Sequence, residues 1–285
     1  MKCSKCPRHC EINNKLNSRF CKVKNLKIAL VSLHKFEEPI ISGKNGSGTI
    51  FFSGCNLKCN FCQNYEISHQ NKGKIISASK LVEIFKDLEN KGAENINLVT
   101  PTPHSLNIIK ALKIYKPKVP VVYNCSGYED IEIIKKLKGL VDIYLVDLKY
   151  YDDNLSSRLS KCNNYFSIAS KVILEMLNQT GKPLIKDDML KKGVIIRHLV
   201  LPNHTDDSIK LLKWIKENVN DNAIVSIMSQ YLPCYKASED INRKITLLEY
   251  KRVISYARKL DINGFCQELD SSNSCYIPNF NLTGF

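Results

Sequence analysis

The sequence has no run of eighteen or more apolar residues, so it lacks the stretch a membrane-spanning helix needs. Its start, Met1-Lys2-Cys3-Ser4-Lys5-Cys6, has no apolar segment of the kind that directs secretion. Low-complexity tracts are absent, and 44% hydrophobic with 25% charged residues is ordinary for a chain that buries a core. Collagen, coiled coil, disorder and membrane insertion are thereby excluded, and a cytoplasmic globular protein is expected. Arginine is scarce as well: only seven of the 42 basic residues are Arg. The formal net charge of +14 invites a nucleic-acid reading. Nucleic-acid readers favour Arg, however, whose planar fork binds phosphate and guanine bidentately, and these lysines are spread along the chain. The charge is read as solvated surface, with RNA kept as an alternative partner.

Cysteine is abundant, with 12 in 285 residues. Disulfides need an oxidising compartment, and no export signal points to one. Cys3, Cys6, Cys10 and Cys21 form one group, Cys55, Cys59 and Cys62 another, and Cys125, Cys162, Cys234, Cys266 and Cys275 stand singly. Two tight groups predict two metal sites, and the single thiols read as small core residues.

From residue 48 onward, short apolar runs alternate with amphipathic stretches. Strands are expected at Gly48–Ser53, Asn95–Thr100, Val119–Tyr123, Val141–Leu148, Gly193–Leu201 and Ala223–Met228, with a short strand after Gly264. Helical spacing fills the intervals, ending with a helix over Thr246–Leu260. Near-continuous apolar strands alternating with helices predict parallel βα units. Six units are too few for a closed eight-stranded barrel, which leaves a doubly wound sheet or a partial barrel. In either, functional residues belong at the carboxyl ends of the strands. Residues 1–47 lack this rhythm and read as a Cys-rich metal-binding appendage to an α/β domain over 48–285.

The strongest motif is Cys55-x3-Cys59-x2-Cys62, directly after the first strand. Three thiolates on one loop suit an iron–sulfur cluster or zinc, and three on a cubane leave one iron open. With Phe61 between the last two cysteines, the motif resembles the signature of the radical S-adenosylmethionine (SAM) superfamily. Cys62-Gln63-Asn64-Tyr65, Val146-Asp147-Leu148-Lys149 and Ile196-Arg197 are similar to the branch around pyruvate formate-lyase activating enzyme, over roughly residues 48–270. The resemblance implies a partial (β/α)6 barrel and a [4Fe-4S] cluster on Cys55, Cys59 and Cys62. It also implies SAM bound at the open iron and cleaved reductively to a 5′-deoxyadenosyl radical that takes hydrogen from a substrate.

On that resemblance, Lys149 and Arg197 are candidate partners of the SAM carboxylate. Asp147 would orient Lys149, bind ribose hydroxyls or hold a cation. Asn124 stands where activating enzymes carry an acidic residue and could accept from ribose. The family's Gly-Gly-Glu segment is replaced by Val99-Thr100-Pro101-Thr102-Pro103-His104, so Thr100 and Thr102 become candidates for the SAM ammonium. His104 would touch ribose or substrate, or else begin a helix. Gln230-Tyr231-Leu232-Pro233-Cys234-Tyr235 departs from the family's His-containing ending and leaves a ribose contact unassigned.

Cys3, Cys6, Cys10 and Cys21 make a complete four-thiolate set for structural Zn or an auxiliary Fe–S cluster, with His9 able to replace one; the alternative is an unmetallated tail. Tyr150-Tyr151-Asp152-Asp153 reads as a helix opening, Trp214 as core, and His69, His198 and His204 as structural. The expected function is a glycyl-radical-enzyme activase fed by flavodoxin or ferredoxin. The alternatives are radical SAM modification of RNA, a peptide or a small metabolite, and, of another class, a non-catalytic iron–sulfur carrier. A carrier needs neither an open iron nor a barrel.

Overall fold

The computed structural model describes residues 2–12, 19–269, 278 and 280–285; Cys275 lies outside them. The chain runs β1 (Lys27–His34), α1 (Pro39–Ser42), β2 (Ser47–Phe52), α2 (Tyr65–Ser68), β3 (Lys74–Ile75), α3 (Ala78–Asn90), β4 (Ile96–Val99), α4 (Ser105–Ile114), β5 (Val121–Cys125) and α5 (Ile131–Lys136). It continues through β6 (Ile143–Asp147), α6 (Asp153–Ser160), α7 (Tyr165–Thr180), β7 (Leu184–Lys186), β8 (Met189–Leu199), α8 (Thr205–Asn218), β9 (Ile224–Met228), α9 (Leu247–Lys259) and β10 (Gly264–Cys266). The Tyr150–Asp153 segment does open a helix: Asp152 caps α6 by accepting from Leu155 N.

Strands β2, β4, β5, β6, β8, β9 and β10 lie side by side in chain order, every pair parallel. A doubly wound sheet would reverse its order at a switch point. This one never does, so it keeps curling one way, as a (β/α) barrel does. The order ends at β10 on one side and β3 on the other instead of joining them, and the barrel is partial. The α/β fold expected from the apolar periodicity is present, with β10 as a seventh parallel strand.

Side chains along a strand alternate between faces, and here each face has its own core. Ile50, Phe52, Leu98, Tyr123, Tyr144, Val146, Ile196 and Ile227 pack with helix residues such as Leu81, Phe85, Leu112, Ile173 and Leu211. The opposite parity, Val122, Ile143, Leu145, Ile195 and Ile224, forms a separate inner cluster around Ile41 of α1. Following that inner parity toward the carboxyl ends leads to Asn124, Asp147, Arg197 and Ser226. At the carboxyl ends of these strands the inner face thus becomes polar and charged.

Residues 27–34, assigned above to the appendage, form β1, which pairs antiparallel with β2 and β3 on the sheet. Only the one-turn α1 separates β1 from its antiparallel partner β2, so this strand breaks the βα rhythm that marked the rest. The β1–β2 connection then crosses the inner face, where Asn95 Nδ2 donates to Ile41 O.

Tyr165 of α7 ties the strand ends together. Its buried hydroxyl lies 2.7 Å from Ser126 O and 2.8 Å from Asp147 O and accepts from Lys149 N at 3.0 Å. Tyr165→Phe strands these groups away from water and should destabilise the fold by about 1–3 kcal/mol. An unchanged urea midpoint in that variant would refute the role.

Candidate active site

Leaving β2, the chain turns at Gly54, whose φ of +83° suits glycine. A Cβ there would meet Val23 Cγ2 at 2.2 Å and Cys21 O at 2.8 Å. The turn delivers Cys55, Cys59 and Cys62 to a cleft of about 630 Å³ at the carboxyl ends of the strands. Leu57 and Phe61 are buried and line the same cleft beside the thiols, and Phe61 meets Tyr231 edge-on at 5.6 Å. The sulfurs are supplied with donors: Ser160 Oγ donates to Cys59 Sγ at 2.9 Å, Leu57 N approaches Cys55 Sγ at 3.4 Å, and Ser68 Oγ lies 3.2 Å from Cys62 Sγ. Burial pushes the Cys55 thiol up to about 11 and the Cys62 thiol to about 12. Thiolates held there need a positive counter-charge on the sulfurs themselves, which is what iron supplies. The residues fit a cluster.

Across the cleft stands a charge network built by strand register. Asp147 of β6 is the direct neighbour of Arg197 of β8, and Arg197 neighbours Ser226 of β9. Arg197 Nε donates to Asp147 Oδ1 at 2.8 Å, its Nη2 donates to Asn124 Oδ1 at 2.8 Å, and its Nη1 lies 3.4 Å from Glu37 Oε2. Lys149 Nζ donates to the other Asp147 oxygen at 2.7 Å. Burial alone would raise the Asp147 carboxyl, but Arg197 and Lys149 overcome it and hold the group below its usual value. Glu38 is raised by burial to about 7, with Arg197 pulling the other way, and accepts from Ser226 Oγ at 3.1 Å.

Residues 49–215 match the model of the radical SAM superfamily. The chain belongs to that superfamily. Its members use a [4Fe-4S] cluster and SAM, and the chain is accordingly a radical SAM enzyme. An uncharacterised protein of Methanocaldococcus jannaschii is 38% identical over 273 residues, 92% of this chain and 75% of that one. The pyruvate formate-lyase-activating enzyme of Clostridium pasteurianum is 25% identical over 247 residues, 80% of this chain and 93% of the relative. In fold, the chain resembles a radical SAM methyltransferase from Sphaerobacter thermophilus, with a TM-score of 0.55 and 16% identity over 81% of this chain and 70% of that one.

Of the residues singled out in this radical SAM sequence, Cys55, Cys59, Cys62, Thr100, Thr102, Asn124, Asp147, Lys149 and Arg197 all line the one cleft. Their side chains are engaged differently. Thr100 has a φ of +59°, costly for a β-branched residue, and its N–H donates to Asn124 O at 2.9 Å. The Thr102 hydroxyl donates to buried Glu129, and the Thr102 carbonyl accepts from Ser105 N. His104 does not reach the cleft: it is buried against Phe52 and its Nε2 is 2.8 Å from Ser53 O. Gln230 lines the cleft, with its amide oxygen accepting from Gln267 Nε2 at 3.2 Å. His198, bonded to Leu148 O and Ser208, and His69, bonded to Cys59 O, are structural. Trp214 packs on the core against Phe166, and among the described residues no helix is long and apolar enough to cross a membrane.

Sequence reasoning missed Glu37 and Glu38, which lie in the segment set aside as appendage. The signal available was a pair of acids before Pro39 in a strongly basic chain. Glu129 was missed too. Burial raises its carboxyl to about 8 against the hydrogen bonds from Thr102 and Tyr123. A carboxyl raised in the folded state stabilises fully below its unfolded value, and that stability is lost as pH climbs through the folded one. Stability should therefore fall between about 4.5 and about 8, and Glu129→Gln should flatten that stretch of the profile. Urea midpoints with the same slope in both chains would show that Glu129 does not titrate there.

Proposed function

We propose that this radical SAM protein is an activase that cleaves SAM reductively and takes hydrogen from a glycine of a partner protein. The observation that carries the reading is the placement of three thiols on one loop opposite Lys149, Arg197, Asp147 and Asn124 in a single cleft. The similarity to pyruvate formate-lyase-activating enzyme over 93% of that relative's length supports the protein substrate.

Cys55, Cys59 and Cys62 would hold the [4Fe-4S] cluster, which when bound supplies the electron for SAM cleavage. The chain's own work is binding and orientation. Lys149 Nζ, with one hydrogen bond to Asp147 and two protons left, presents a cation to the SAM carboxylate. Arg197 has its fork filled by Asp147, Asn124 and Glu37, so it positions those groups more than it receives the ligand. Asn124 and Asp147 offer oxygens to ribose hydroxyls, and Glu37 and Thr100 stand beside them for the ammonium. The buried side chains of Leu57 and Phe61 give the cleft apolar surface beside the thiols. A basic surface of net charge +14 suits an acidic one-electron donor of the flavodoxin or ferredoxin kind.

Anaerobically reconstituted and reduced protein should convert SAM to 5′-deoxyadenosine, and Cys59→Ala should abolish this. Wild-type turnover in that variant would defeat the assignment. Mixed with the protein fraction of cells grown without oxygen, the same preparation should raise a glycyl-radical doublet in electron paramagnetic resonance. Turnover stimulated only by RNA or by small metabolites, without the doublet, would overturn the activase reading.

Lys149→Ala should weaken SAM binding by about 1.5–3 kcal/mol, the range for a charge-assisted hydrogen bond, at unchanged iron content. Calorimetric titration showing wild-type affinity would remove Lys149 from the carboxylate.

A further inference from the structure

The N-terminal thiols take no part in that cleft. Cys3, Cys6, Cys10 and Cys21 instead line a second, small cavity together with Lys5, Arg8 and Arg19, and none of the four is in a disulfide. Backbone geometry gathers them. Lys2 bridges Glu11 in antiparallel fashion, Cys3 N donates to Cys10 O at 2.8 Å, and His9, in the left-handed region at φ 41°, donates its N–H to Cys6 O at 3.2 Å. Phe20 N lies 3.5 Å from Cys10 Sγ, which sets the neighbouring Cys21 beside the same loop.

Three cations line this cavity. Lys5 Nζ donates to Pro103 O at 3.0 Å, Arg8 to Asn56 O and Lys161 O, and Arg19 Nη1 to Val23 O at 2.7 Å. Each of these cations is bonded to backbone carbonyls, and none forms an ion pair with a carboxylate among the described residues. Partly desolvated cations with no carboxylate paired to them favour a negative centre next to them. Four thiolates around a metal core supply one.

We propose that Cys3, Cys6, Cys10 and Cys21 hold a second iron–sulfur cluster, seated against the back of the Cys55–Cys62 loop. Among the described residues no group of three His, Cys, Asp or Glu side chains is placed to hold a single metal ion. The same holds for Cys55, Cys59 and Cys62, assigned above to the family's cluster, and this comparison rests on that assignment. In a cubane each thiolate takes its own iron, so the sulfurs share a cavity without sharing an ion. Four thiolates fill all four irons, leaving none open to SAM. The two thiol sets meet at one turn: Cys21 O and Val23 press on Gly54, the residue before Cys55, and Arg8 grips the carbonyl of Asn56, the residue after it.

The test uses the full chain, reconstituted without oxygen with iron and sulfide. Wild type should hold about eight irons and eight sulfides per chain, and both the Cys55/Cys59/Cys62→Ala and the Cys3/Cys6/Cys10/Cys21→Ala variants about four, one cubane each. In electron paramagnetic resonance, the reduced triple variant should give a cluster signal that SAM leaves unmoved, whereas SAM should shift the signal of the quadruple variant. The proposal is overturned if wild type holds only about four irons, or if a triple variant with the circular dichroism of wild type binds no iron or a single zinc. Loss of the proposed activity would appear as missing 5′-deoxyadenosine with these counts intact, so the two claims fail separately.

Discussion

Charge buried at the open end of the inner face constrains the rest of the structure. Asp147 and Arg197 are neighbours in the β6–β8 register, both mostly withdrawn from water. Breaking a buried pair by removing one partner typically costs 3–5 kcal/mol, because the other charge is left uncompensated. The network is therefore closed on every side: Lys149 takes the second Asp147 oxygen, Asn124 and Glu37 complete the Arg197 fork, and Ser226 holds Glu38. Four strands, β5, β6, β8 and β9, and the β1–β2 connection must sit in one arrangement for all of these to be satisfied. That requirement makes this wall of the cleft rigid.

The facing wall obeys a different constraint. Its thiols gain nothing from burial alone, which favours the protonated form, and the loop is held by its surroundings. Gly54 allows the close approach of Cys21 and Val23, Lys58 N and Asn60 N donate to Ser160 O and Leu159 O of α6, and Lys58 Nζ donates to Ser68 O at 2.7 Å. The cysteine loop is thereby braced from the N-terminal segment on one side and from the barrel helices on the other. Superfamily membership explains why a loop so braced keeps three thiols facing a cleft.

Part of this was legible beforehand because it is local. A C-x3-C-x2-C spacing lies within one loop, and apolar runs of strand length alternating with helical periodicity report parallel βα units directly. Asn124, Asp147, Lys149 and Arg197 could be placed at strand ends because each follows an apolar run. Thr102 and His104 show the limit of that reasoning. Both stand after β4, yet Thr102 turns to Glu129 and His104 to Ser53 O, since a buried donor or acceptor takes whichever partner the packing brings nearest.

Residue spacing by itself determined the thiol groups, the βα alternation and the end of the sheet where polar chemistry collects. These follow from periods of 2 and 3.6 residues and from ligand spacing along one segment. Only the tertiary structure decided that β1 joins the sheet, that the β1–β2 connection carries Glu37 and Glu38 across to Arg197, and that Cys21 abuts Gly54. Those pairings join residues far apart in the chain, Glu37 and Arg197 by 160 positions. Their partners are chosen by strand register and by the need to leave no buried charge alone, neither of which is written in any single stretch of sequence.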